Sequence, residues 1–294
     1  MQYYQKHDGA FFDYKITESL GHLHRGPLGI SSTAKIIAIG SAHTFGRFSP
    51  SPYTSIMTEQ YDLPTVNFGM GGKGPAFFLR EEIIEAASKF ETVIYQLPSG
   101  RCVSNSYLSG DSIMMAITKG GMRIPKESIA ILFSQLTGQD LQPGDPVPLN
   151  IPVRSEVAYT ILRANLSSWR FGSLLLETRR NYVKFVREFL SAMPGRTIVL
   201  TLSARNLPAG ELLSRPRKLG KFPELLTERM LQKINAQADH SIKIIGDEGL
   251  PVRIAPIKIA DTWPPGAREG LNRYYPSTSL HAKVASELHR VING

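Results

Sequence analysis

The sequence has a single cysteine, Cys102, in 294 residues. An internal disulfide and a cysteine metal cluster are therefore excluded, and a reducing cytoplasm is the expected home. No apolar run approaches the roughly 20 residues of a membrane-spanning helix. The first residues, Met1–Asp13, show no basic-then-apolar leader. Repeats and low-complexity segments are absent. Acid is in deficit: 25 Asp and Glu stand against 34 Lys and Arg, a formal net charge of +9. That excess favours an anionic partner. The basic residues are scattered, densest at Arg215–Lys221 and Arg163–Arg180, and no helix-turn-helix, zinc finger or RNP-like strand accompanies them. Nucleic acid is not expected on that basis; an acidic sugar, a nucleotide or another phosphate-bearing ligand fits the charge at least as well. With 42% apolar and 20% charged residues the composition is that of a globular chain.

Apolar runs alternate with amphipathic stretches, the pattern of strand–helix alternation around a parallel sheet. Strands are predicted at Lys35–Ile39, Thr65–Phe68, Thr92–Leu97, Thr197–Leu202 and Ser241–Ile245. Their β-branched composition suits strands buried on both faces. Helices are predicted at Pro52–Tyr61, Pro75–Phe90, Leu166–Met193, Leu225–Ala238 and Ser279–Val291. Between residues 103 and 165 the pattern weakens and Gly and Pro punctuate short apolar pieces. A structureless loop of that length is improbable in a compact domain. The expectation is one α/β domain over 1–294, with an insertion or lid at about 103–165 that contains short helices.

Ligands of open parallel sheets bind outside the carboxyl ends of the strands. The first four strands end in GSAHTFGR (Gly40–Arg47), GMGGKG (Gly69–Gly74), PSGRC (Pro98–Cys102) and SARN (Ser203–Asn206). Each loop is rich in small residues and carries one cation: Arg47, Lys73, Arg101 or Arg205. Glycine lets backbone N–H groups approach a ligand, and arginine offers forked donors to carboxylate, phosphate or sulfate. None of the four loops contains Asp or Glu, so an anion is expected to partner the cations. GMGGKG itself is no nucleotide fingerprint, because Pro75 stands where a Walker or dinucleotide turn would continue into a helix.

Three blocks resemble the SGNH, or GDSL-like, hydrolases: Ile36–Gly46 (IIAIGSAHTFG), Val66–Gly72 (VNFGMGG) and Tyr275–Ala285 (YPSTSLHAKVA). The wider pattern, with Ser104–Asn105 after the third strand and the Pro223–Met230 helix start, is similar to a branch of that superfamily of unknown function. The resemblance implies a three-layer α/β/α fold with a mainly parallel, flavodoxin-like sheet. It also implies acyl-ester hydrolysis or acyl transfer on a carbohydrate, as in surface-polysaccharide metabolism, with acyl-coenzyme A as the donor if the protein is a transferase; no other cofactor is implied. Oxyanion and ligand contacts would come from Gly40, Gly69, Gly71, Lys73, Ser99, Arg101, Asn105 and Arg205.

The departures are as informative as the matches. On the family pattern Ser41 takes the aspartate slot and Ala42 the nucleophile slot, while Asn272 and Tyr275 take the slots of the second aspartate and the base histidine. Leu97–Gly100 (LPSG) replaces the third block. Alanine cannot attack a carbonyl, and neutral tyrosine is a poor base near pH 7. A shifted catalytic set would have to draw on Ser41, His43 and His281. Cys102 beside Arg101 is either an activated thiol or a small buried apolar residue. No metal site is expected, since His22 and His24 lack partners at ligand spacing. Two classes stay open: an esterase or acyltransferase with an altered catalytic set, and a pseudoenzyme that binds an anionic glycan or a phosphate-bearing ligand.

Overall fold

The computed structural model describes residues 8, 12–209, 219, 222–253 and 271–294. In chain order it begins with a hairpin, β1 (Ile16–Ser19) and β2 (His22–Arg25), then β3 (Ile36–Gly40), the one-turn helix α1 (Ala42–Phe45), α2 (Tyr53–Gln60) and β4 (Thr65–Gly69). A 3₁₀ turn (Pro75–Leu79), α3 (Glu81–Ala87), β5 (Thr92–Gln96) and a 3₁₀ turn at Gly100–Cys102 follow. The middle of the chain forms β6 (Leu108–Ser109), β7 (Met114–Ile117), α4 (Glu127–Thr137), β8 (Pro152–Arg154) and α5 (Ser155–Asn165). The last part comprises α6 (Ser168–Ser191), β9 (Arg196–Ser203), α7 (Glu228–Asn235), β10 (His240–Ile245), β11 (Val252–Arg253), β12 (Leu271–Asn272) and α8 (Thr278–Asn293).

Among the described residues the main sheet has seven strands in the order β1-β2-β4-β3-β5-β9-β10. From β4 to β10 neighbours are parallel, while the hairpin adds an antiparallel edge. Strand side chains alternate between two apolar clusters, as period-two geometry requires. Ile37, Ile39, Val66, Phe68, Val93, Tyr95 and Val199 pack with Tyr182, Val186 and Phe189 of α6 and Met230 and Ile234 of α7. Ile36, Ala38, Ile94, Ile198, Leu200 and Ile244 pack with Ile56 and Met57 of α2 and Val284 and Leu288 of α8. Each strand is thus buried on both sides, which is why these segments read as unbroken apolar runs.

Three predicted helices shorten: Leu225–Ala238 begins only at Glu228, capped by the Thr227 hydroxyl, and ends at Asn235. Pro75–Phe90 divides at Arg80, whose extended backbone separates the 3₁₀ turn from α3. The Leu166–Met193 helix begins at Ser168, where the Ser167 hydroxyl caps the Arg170 N–H. The weakly patterned middle holds a three-stranded sheet, β6-β7-β8, in addition to the expected helices. Its own cluster, including Met115, Ile117, Ile129, Phe133 and Leu162, packs against Phe171 and Leu175 of α6.

Among the five parallel strands the second lies outside the first, and the order reverses between β3 and β5. The connections leaving these two strands diverge and open a crevice at the carboxyl edge. Gly40 and Gly69 face each other there in register. A Cβ on Gly69 would stand 2.1 Å from the Phe45 nitrogen and 2.7 Å from its Cα, so glycine alone lets α1 sit directly on the end of β4. Replacing it forces backbone apart. Gly69→Ala should cost about 3 kcal/mol or more in urea denaturation. Gly120→Ala, where no atom lies within 4 Å of the added carbon, should stay within about 0.5 kcal/mol of the parent. Equal losses would refute the close approach.

Candidate functional site

The crevice is a cavity of about 460 Å³, lined by Ser41, Ala42, His43 and Arg47 after β3, Gly71–Lys73 after β4, and Ser99, Arg101 and Cys102 after β5. Of the four strand-end loops, the first three share this cleft and Ser203–Asn206 does not. The insertion adds Ile113, Arg154 and Glu156, and the C-terminal region adds Phe222 and Leu271–Tyr275.

Ser41 follows β3 and caps α1: its Oγ accepts the His43 N–H at 3.2 Å. The fully buried Gln96 side chain reaches across from β5. Its Oε1 accepts the Ser41 N–H at 2.9 Å, the Ser41 hydroxyl at 2.8 Å and the Thr44 hydroxyl at 3.3 Å. Its Nε2 donates to the Leu97 carbonyl, which fixes the oxygen towards Ser41. The Ser41 proton is therefore held by an amide rather than by a base. His43 Nδ1 lies 3.3 Å from Ser41 Oγ, a contact satisfied when Nδ1 carries the hydrogen and donates.

The His43 imidazole is stacked on Phe222 (3.7 Å between centroids, 11° between planes), and Tyr274 and Tyr275 approach at 5.4 and 5.5 Å. Burial, with the field of His281 adding to it, pushes the His43 pKa down to about 3. Among the described residues no carboxylate pairs with His43. Tyr275, at the slot assigned to the base histidine, accepts an Arg47 N–H at 3.2 Å. Asn272, at the aspartate slot, accepts the Tyr274 and Tyr275 N–H groups at 3.1 and 2.9 Å and so shapes a turn.

The cations do not await an anion in the way their loops suggested, because carboxylates arrive from elsewhere in the fold. Arg47 is bidentate to Asp8, at 2.6 and 3.2 Å. Arg101 lies 2.6 Å from Glu156 at the start of α5 and 3.3 Å from Glu224. Glu156 also holds Arg154 at 3.3 Å. Burial alone would raise the Glu156 carboxyl, but the Arg101 charge, a backbone hydrogen bond and Arg154 together outweigh it and hold it below its ordinary value. Lys73 differs. Its Nζ rests 4.2 Å from the Phe77 ring centroid, and the neighbouring Asp111 is taken by Arg80 at 2.6 Å. Burial lowers the Lys73 pKa, and among the described residues it has no ion pair.

Several expected contacts lie elsewhere. Gly40 and Gly69 are buried beneath the cleft, where they set the backbone. Asn105 does not line it: its Oδ1 accepts the Tyr107 and Leu108 N–H groups, both at 3.0 Å, and its Nδ2 donates to Thr178. Arg205 is exposed outside the cleft, in a turn closed by Ser203. His281 is a core residue whose Nδ1 accepts the Tyr53 N–H at 3.3 Å, one of the free donors at the start of α2. Burial, then Arg25, pushes its pKa down to about 3, and its Nε2 has no hydrogen-bond partner among the described residues. Cys102 is the buried apolar residue of the two alternatives, its thiol pushed up to about 12 by burial against the opposing pull of Arg101. Sequence reading missed Gln96, Glu156, Phe222 and Tyr274, none of which belongs to a motif. Arg215–Lys221 falls outside the described residues apart from Leu219. Among the described residues no group of His, Cys, Asp and Glu could hold a metal ion, and no helix is long and apolar enough to cross a membrane.

Residues 1–110 match a family described as a domain of unknown function (DUF6473). The match covers the hairpin and the first three parallel strands with their loops, and ends before most of the insertion. No curated protein matches the chain.

Buried His43 and His281 give a pH signature. Both stay neutral in the folded protein, whereas the unfolded chain takes up protons below about pH 6.5. Stability is therefore full above that pH and falls as the pH drops from 6.5 towards 3. His43→Phe keeps the aromatic stack and removes one proton. Across pH 4–6 its urea-derived stability should fall less steeply than the parent's, by about 1.4 kcal/mol per pH unit. Parallel curves would show that His43 titrates normally.

Proposed function

We propose that the cleft binds the anionic group of an acidic or acylated carbohydrate or of a phosphate-bearing small molecule, on a three-layer α/β/α scaffold of the SGNH type, without the serine hydrolysis of that superfamily. The scaffold reading is supported by the 2-1-3-4-5 order of the parallel strands and by helices against both apolar faces of the sheet. One observation carries the ligand reading: Arg47, Lys73, Arg101, Arg154 and Arg273 line the cleft, and Glu156 is the one lining carboxylate among the described residues. Leaving Arg273 aside and counting Asp8 and Glu224, which ion-pair from behind, the described residues still set four cations against three carboxylates. Within a walled crevice that excess concentrates an anion.

The non-hydrolytic part rests on Ala42 at the nucleophile slot, on a Ser41 proton held by Gln96, and on a His43 without a carboxylate. Such a histidine is neutral near pH 7 but too weakly basic to take a serine proton efficiently. A second reading, acyl-ester hydrolysis or transfer from acyl-coenzyme A, draws on the 3.3 Å contact between Ser41 Oγ and His43 Nδ1.

Calorimetric titration with galacturonate oligomers, their neutral galactose counterparts and acyl-coenzyme A tests both. Lys73 is the cation to remove, because Arg101→Ala would strand Glu224 and Glu156. A charge-assisted contact contributes about 1.5–3 kcal/mol. Lys73→Met should therefore weaken acidic-ligand binding roughly tenfold or more, and added salt should weaken the parent as well. Equal affinity for acidic and neutral oligomers, unchanged in the variant, would sink the anion site. A stoichiometric fluorophosphonate adduct on Ser41 would transfer the case to the enzyme.

A further inference from the structure

On the side of the sheet away from α2 and α8, the neighbouring helices α6 and α7 leave a groove of about 870 Å³ that shares no residue with the cleft. One rim carries Arg180, Lys184 and Arg187 of α6, and the other carries Arg229 and Lys233 of α7. All five are exposed. On α6 the spacing is i, i+4, i+7, which stacks the three cations on one face over about 10 Å. The floor includes Val183 and Met230. Among the described residues the lining holds one carboxylate, Glu188, 3.8 Å from Lys184. Arg187 reaches Gln237 at 3.4 Å, and Arg180, Arg229 and Lys233 have no ion pair among the described residues. Like charges at i, i+4 weaken a helix by a few tenths of a kcal/mol per pair, and nothing in the lining offsets most of this.

We propose that this groove docks a helical segment of a partner protein, one that carries an apolar stripe flanked by Asp and Glu. An apolar floor between two cationic rims complements such a helix: the stripe covers the floor and the acids meet both rims. The groove runs from Arg180 to Ala192, about 18 Å of helix, or some three turns. A nucleic-acid strand fits less well. No aromatic side chain lines the groove to stack a base, and a phosphate track makes no use of an apolar floor. A flat anionic membrane does not enter a concave surface. Among the described helices a second copy offers no suitable segment: the most acidic, α3, has its Ile83 and Ala86 buried in its own core.

The test titrates the full chain with a labelled peptide of about 18 residues that carries Leu at i, i+3, i+4 and i+7 and Glu beside them. Saturable binding is expected, with a Kd on the order of ten micromolar and a gain of peptide helicity by circular dichroism. Arg180→Glu with Arg229→Glu should weaken it at least about tenfold, with the protein's own spectrum unchanged. A matched peptide with Ser for Leu should bind at least about tenfold more weakly as well, since the floor then goes uncovered. The proposal is overturned by any of four results: no saturation at about 1 mM peptide, equal affinity in the charge-reversed protein, equal affinity of the Leu and Ser peptides, or a single-stranded oligonucleotide, anionic vesicles or a second copy of the chain binding more tightly than the peptide and losing that binding in the charge-reversed protein. Equal affinity of the two peptides would mark a polyanion track. None of these results bears on the cleft, so the two proposals fail separately.

Discussion

The carboxamide of Gln96 holds the site together. It is buried at the end of β5, and its one oxygen receives three donors from the turn that follows β3. These two strands flank the reversal of strand order, so the bond system ties together the point at which the sheet would otherwise open freely. An unmatched amide at that depth would cost about 1–3 kcal/mol; here every polar atom of the side chain has a partner. The consequence is chemical as well as structural. The same oxygen that fixes the turn takes the Ser41 proton, and a serine serving as a nucleophile must give that proton to a base. The arrangement that builds the crevice also leaves its best-placed hydroxyl donating to an amide oxygen rather than to a base.

The cationic wall follows a related economy. Arg47, Arg101 and Arg154 could not be held in a narrow space by themselves, and Asp8, Glu156 and Glu224 make their proximity tolerable. Among the described residues the pairing is incomplete at the buried end: Arg101 Nε and the second oxygens of Glu156 and Glu224 lack hydrogen-bond partners. A buried ion cluster of that kind contributes little net stability, but it fixes where its members stand. Glu156 opens α5, so Arg101 pins the 103–165 region to the end of β5. The insertion becomes a wall of the cleft through that charge pair and through the Gly72–Gly74 backbone, which hydrogen-bonds with Asp111 and Ile113, while its own apolar cluster packs on α6.

These features differ in how far the amino-acid sequence discloses them. The five parallel strands were legible because burial on both faces leaves an unbroken β-branched run, and the loops that end them were legible from glycine and a single cation. The hairpin of β1 and β2 was not: ITES and HLHR are four residues each and half-exposed, so no apolar period develops. β6 to β8 are shorter or flanked by irregular chain, and they exist because their side chains share a cluster with α6. The site divides the same way. Ser41, His43, Lys73 and Arg101 follow strand ends, a position that topology converts directly into a location. Phe222, Tyr274 and Glu156 come from distant segments that meet the cleft only after folding. The inference that the cations lacked carboxylates failed for that reason: it counted acids within loops, while ion pairs are made across them.

The aromatic surroundings of His43 decide what remains open to this site. An imidazole lying flat on Phe222 and edged by two tyrosines is shielded from water on its faces, and its charged form is correspondingly disfavoured. A general base must pass through that charged form, and catalytic histidines are given a carboxylate to make it accessible. Here the neighbours are rings and a serine whose proton points away. Neutral His43 can still hold its ring in place, close the inner end of the cleft and offer one hydrogen bond. Those are the tasks of a residue that shapes a binding pocket. Under the proposed anion-binding function the cations around it would supply the attraction, and Lys73, which makes no ion pair among the described residues, would be where the anionic group is held.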